Sequence, residues 1–118
     1  MAPHLHFNDE GVGVYYQKGN IMKECNSLEE VRNEVDKLDD EIVKLIAARN
    51  AYIHQAVKFK QSVEEVKAEE RVTKVIERVR HKALELGLSP NLITELYTNM
   101  IDAMVEMEIS EFRDRGAL

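Results

Sequence analysis

The chain has 118 residues, 44% hydrophobic and 32% charged, with five Gly and two Pro, which suits one domain built largely of helices. A formal charge of -6 and a sequence pI near 5.2 speak against general nucleic-acid binding, which needs a basic field, but leave room for a local basic pocket. No apolar run approaches the ~20 residues of a transmembrane helix, and no basic stretch followed by an apolar core marks a secretory signal.

Residues 1–24 stand apart, with three of the five Gly and no helical period. Within them VGVYYQ suits a short strand and NDEG a turn before it. The stretch reads as a disordered extension, as a strand that pairs with another chain, or as a non-native leader, with Met22 as a candidate natural start. His4 and His6 have H-x-H spacing, but no acidic or Cys partner stands beside them, so solvated tail histidines are expected rather than a metal site. Cys25 is the single cysteine, which excludes an internal disulfide and fits a reducing cytoplasm.

The main domain, residues 25–118, is expected to be all-α, with three helices and a very long first one. Ser27 opens it: Ser27 and Glu30 have the spacing of a capping box. Leu28, Val31, Val35, Leu38, Ile42 and Leu45 then alternate at spacings of three and four, and the frame continues through Tyr52, Ala56 and Phe59. This heptad seam predicts a helix to about Gln61 or Ser62, ~50 Å long, with a partner along it. SVEEVKAE is expected to be a short connection. A second helix is expected from about Ala68 to Leu86, with Val72, Val75, Ile76, Val79 and Ala83 facing inward and Gly87 past its end. Ser89 and Pro90 start a third, which ends near Arg113 to Arg115 and carries a stripe through Tyr97, Ile101 and Met104.

Two charges break these apolar stripes. Arg49 falls in the heptad seam, where a guanidinium is costly unless an anion meets it. Glu108 continues the stripe of the third helix. Arg32 and Lys60 share one edge of the first helix, 28 residues and ~42 Å apart, too far for one small ligand within a straight helix. If two copies cross antiparallel near residue 46, Arg32 of one chain lands beside Lys60 of the other. Each of two equivalent pockets then holds Arg49 and Lys60 from one chain and Arg32 in trans. Arg71 is placed to fold over that end, and Glu108 to reach it from the third helix. Arginine forks suit carboxylates, so two of them suggest a dicarboxylate. The set contains no Ser–His or Cys–His pair and no metal cluster, and the chemistry it suits is electrostatic: holding a dianion in a reactive conformation and stabilising negative charge that develops on an oxygen. Each residue taken singly also has a plain reading, as a solvated charge or a structural ion pair. The combination is what points to a site.

From Leu28 to about Phe112 the chain resembles the all-α chorismate mutases and, at least as closely, their relative isochorismate pyruvate lyase. The resemblance rests on LEEVRNEVDKLDDEIVKLIAARNAYI, VKFK, AEERVTKV and GLSPNLITELYTNMIDAMVEME, with Arg32, Arg49, Lys60 and Arg71 all at family positions. It implies an intertwined homodimer of three-helix chains and catalysis that needs no cofactor. Arg49 and the partner copy's Arg32 would hold the two substrate carboxylates, Lys60 would donate to the ether oxygen and a carboxylate, and Arg71 would help close the pocket. The mutase reaction, a step of aromatic amino acid biosynthesis, rearranges chorismate to prephenate. The lyase gives salicylate and pyruvate from isochorismate. A third reading is a non-catalytic helical dimer that regulates another enzyme. The chain departs from the family twice. Glu108 stands where Gln is common, as in the fungal mutases that also use Glu, and donates only when protonated. Val72 stands where typical bacterial mutases have a Glu that holds the ring hydroxyl.

Overall fold

The computed structural model describes residues 4–7, 13–17 and 20–116, with the strand residues before Met22 as backbone alone. Three strands, β1 (His4–Phe7), β2 (Gly13–Gln17) and β3 (Asn20–Lys23), form an antiparallel sheet in the order β1-β2-β3. Leu5 pairs with Tyr15, and Tyr15 with Met22. The expected strand in VGVYYQ is β2. Its two neighbours carried no period in the sequence, so an all-α expectation describes the chain only from Leu28 onward. The side chains of His4 and His6 lie outside the described residues.

Four helices follow: α1 (Leu28–Val57), α2 (Val63–Lys67), α3 (Glu69–Glu85) and α4 (Pro90–Gly116). The Ser27 hydroxyl accepts from Glu30 N–H at 3.1 Å, and the Glu30 carboxylate accepts from Asn26 N–H at 2.8 Å. This is the expected exchange displaced by one residue on the carboxylate side. Ser89 likewise accepts from Leu92 N–H and starts α4.

Where α1 ends differs from expectation. The amides of Lys58, Phe59 and Lys60 each bond three residues back instead of four, so the last turn tightens and stops. Then Ser62 caps a helix of its own: it accepts from Glu65 N–H at 3.1 Å, and the Glu65 carboxylate takes Gln61 N–H. The expected plain connection is therefore the helix α2, which packs on α4 through buried Val66.

Ala68 joins α2 to α3 in the left-handed region, with φ 44° and ψ 49°. A Cβ there crowds the following carbonyl. Ala68→Gly is expected to stabilise the protein by up to about 1 kcal/mol, after the extra freedom glycine gives the unfolded chain. The check is a higher urea midpoint with an unchanged slope; a lower midpoint would contradict it. Gly87, at φ 72°, ends α3 with Leu88 N–H reaching back to Ala83 O at 2.8 Å, where left-handed backbone suits glycine.

The core lies between α3 and α4. Val75 and Val79 meet Ile101, with Val72, Ile76, Ile93, Tyr97 and Val105 around them. Arg80 pins the start of this hairpin by donating to Pro90 O at 3.2 Å and Thr94 Oγ1 at 2.5 Å. By contrast, α1 is uncovered for most of its length. Leu28, Leu38 and Leu45 are 60–68% exposed, and Val31, Val35 and Ile42 also face outward. Such a helix is marginal in water by itself, because helices draw most of their stability from packing one face.

Candidate functional site

The second half of α1 lies along the second half of α4, and the two run in the same direction. Contacts climb both helices together: Arg49 to Met104, His54 to Glu111, and the end of α1 to Arg115. Between this pair and the α2–α3 junction lies a cavity of about 290 Å³. Three cations expected from the sequence line it, Arg49, Lys60 and Arg71, together with Glu108 and Val72. Ile53, Val75, Ile101 and Val105 give it an apolar wall. Arg32, near the other end of α1, is not among its lining residues.

Arg49 is half-buried, and its neighbours explain how its charge is tolerated. Nη1 donates to Met104 Sδ at 3.2 Å, and the guanidinium carbon stands 5.9 Å from the centre of the Tyr97 ring. Both partners orient the fork and neither neutralises it. Among the described residues no carboxylate forms an ion pair with Arg49, Lys60 or Arg71. The charge at the seam position is thus oriented without an ion-pair partner among the described residues.

Glu108 is also half-buried, and no hydrogen bond within the described residues ends on its carboxyl. Burial pushes that carboxyl above its ordinary value. Lys60, Arg49 and His54 pull the other way, and Glu111 adds to the rise. Desolvation wins, so the proton is retained to higher pH than on a surface glutamate. His54, in the last turn of α1, has Nδ1 2.6 Å from Glu111 Oε2.

A contribution from α2 was not anticipated. Val66, Lys67 and Ala68 border the cavity from the end of α2. The signal for them was present: Ser62-x-x-Glu65 repeats the Ser27-x-x-Glu30 pattern, and a helix there carries Lys67 over the mouth. Among the described residues no His, Cys, Asp and Glu group is placed to hold a metal ion.

The profile of the family described as chorismate mutase type II matches residues 31–109. The chain belongs to the chorismate mutase type II family. The match begins in the first turns of α1 and ends one residue past Glu108, so it covers Arg32 and the cavity-lining residues alike. The chain is also similar to an isochorismate pyruvate lyase of Pseudomonas aeruginosa, with 29% identity over 96 residues, which span 80% of this chain and 95% of the lyase. The chorismate mutase type II assignment makes this a member of a family of enzymes acting on chorismate. No helix among the described residues is long and apolar enough to cross a membrane.

Proposed function

We propose that this protein is a chorismate mutase that rearranges chorismate to prephenate in a pocket completed by a second copy of the chain. The observation that carries the reading is one cavity uniting Arg49, Lys60 and Arg71 with Glu108, whose burial raises its carboxyl above the ordinary pKa. A dianion enters where the cations lack carboxylate partners. Arg49 and the partner copy's Arg32 each grip one carboxylate and hold the enolpyruvyl arm over the ring. As the ether C–O bond breaks and the new C–C bond forms, negative charge gathers on the ether oxygen. Lys60 and the protonated Glu108 donate to it there. Arg71 covers the mouth, and Val72 packs beside the ring. Every electron and proton stays within the substrate, so no cofactor is needed.

The exposed α1 seam supports the homodimer. Six apolar side chains of the seam from Leu28 to Leu45 face water in one chain, and burying one such side chain fully is worth about 1.5–3 kcal/mol. An antiparallel second α1 crossing near residue 46 covers them and brings Arg32 to the cavity. A single thiol, Cys25, suits the reducing cytoplasm.

A second reading is favoured by the relative and by Val72. An isochorismate pyruvate lyase breaks the same ether bond while a ring hydrogen moves to the pyruvate methyl group, giving salicylate and pyruvate. Val72 offers no acceptor for a ring hydroxyl, which weakens the case for a typical mutase site. Incubating the purified protein separately with chorismate and with isochorismate, then identifying products chromatographically, decides between them. Prephenate from chorismate is expected. Salicylate from isochorismate at much higher efficiency would replace the first reading by the second, and neither product would favour a non-catalytic regulatory dimer.

A further inference from the structure

Arg115 lies beyond the family match and does not line the cavity, yet it holds the segment that carries Lys60. Its two terminal nitrogens donate to Val57 O and to Lys60 O, each at 2.9 Å. Val57 O also accepts from Lys60 N–H at 3.1 Å. The backbone of Lys60 is therefore fixed on both sides, its N–H by Val57 and its C=O by Arg115. Val57 is the last residue of α1, so the fork bridges the point where helix gives way to loop, and a cation there also suits the negative helix end. The guanidinium carbon is 4.8 Å from the centre of the Phe112 ring, which presets the fork.

Glu108 and Arg115 are two turns apart on α4, on one face. One helix thus carries the Glu108 carboxyl and grips the backbone of Lys60. We propose that Arg115 is a positioning residue for the reaction: it sets Lys60 relative to Glu108 so that both donors reach the same oxygen. This rests on the reading of Lys60 and Glu108 given above. A mere end cap for α1 makes a different forecast. It would cost stability but leave each folded molecule fully active.

The test uses the full chain with Arg115→Ala, Arg115→Lys, Lys60→Ala and the Lys60→Ala/Arg115→Ala double variant. Each is assayed with chorismate and with isochorismate, well below its own melting temperature. Arg115→Ala is expected to lower kcat about 10- to 100-fold, since a misplacement of about 1 Å costs that much, while KM moves far less. Arg115→Lys is expected to recover part of the loss, because an ammonium supplies the charge without the fork. In the Lys60→Ala background, Arg115→Ala is expected to cost nothing further. Full activity per folded Arg115→Ala molecule, or an undiminished loss in the double variant, would overturn the positioning role. Full activity of Lys60→Ala would instead overturn the assignment of Lys60 itself, so the two failures are told apart.

Discussion

Arg49→Ala is expected to cut turnover by about 10²- to 10³-fold while the helices stay folded, the loss typical of removing one preorganised donor to developing or bound negative charge. The fold survives because Arg49 contributes little to it. Its contacts are one sulfur acceptor and one ring face, worth about 1 kcal/mol at such a half-exposed site, against a total stability of roughly 5–15 kcal/mol. Truncation also removes the cost of holding a half-buried cation without a carboxylate beside it. The same features make Arg49 valuable to a ligand. Met104 and Tyr97 aim the guanidinium without satisfying it, so an arriving carboxylate gains an oriented, two-pronged donor. Arg49→Lys is expected to restore only part of the activity, because a point charge cannot reproduce the fork. Steady-state kinetics beside far-ultraviolet circular dichroism checks both statements. A folded Arg49→Ala protein with full turnover would remove Arg49 from the site.

Activity is expected to fall as pH rises, by about tenfold per unit once the raised Glu108 value is passed. The sign follows from chemistry: only the protonated carboxyl can donate to the ether oxygen. Burial raises its pKa in the free protein, and Lys60, Arg49 and His54 oppose the rise. Binding a dianion shifts this balance further. Its carboxylates offset the cations and repel a second negative charge, so the fall in kcat is expected at higher pH than the fall in kcat/KM. Glu108→Gln donates at every pH and is expected to abolish the fall. Stability follows the same linkage. A carboxyl raised in the folded state contributes most below its ordinary value and loses that contribution as pH rises through the folded one. Glu108→Gln is therefore expected to melt higher than the parent at neutral pH, with the gap closing on acidification. An unchanged pH profile in Glu108→Gln would assign the fall to another group.

The legible and illegible parts of this chain divide along physical lines. Helix starts were read where a side-chain cap precedes a long apolar stripe, as at Ser27 and Ser89, because the cap is a local bond between near neighbours. The same cap at Ser62 opens the five-residue α2 and was missed. The α3–α4 core was readable from the spacing of Val75, Val79 and Ile101. The end of α1 was not. Nothing in VKFKQ forbids helix, and the tightening before Lys60 goes with the competing cap at Ser62 and the distant Arg115. Glu108 drew attention as a charge on an apolar stripe, but its raised pKa depends on how three helices close around it. Arg115 gave no signal, since its partners are backbone carbonyls more than fifty residues away. Of the residues expected at the site, Arg49, Lys60, Arg71, Val72 and Glu108 line one cavity in a single chain. Arg32 has its place only if a second copy supplies it.

That dependence on two chains is the centre of the proposal, and mixing two inactive variants tests it most directly. Arg32→Ala and Arg49→Ala are each purified, unfolded together and refolded, then assayed with chorismate and isochorismate beside the separately refolded parents. In a mixed dimer one pocket receives the Arg49 of one chain and the Arg32 of the other and is complete, while its twin lacks both. Random pairing makes half the dimers mixed, so the mixture is expected to recover about a quarter of the activity of the unsubstituted protein. Activity no greater than the sum of the two parents, in a sample shown to contain mixed dimers, would contradict a pocket shared between chains.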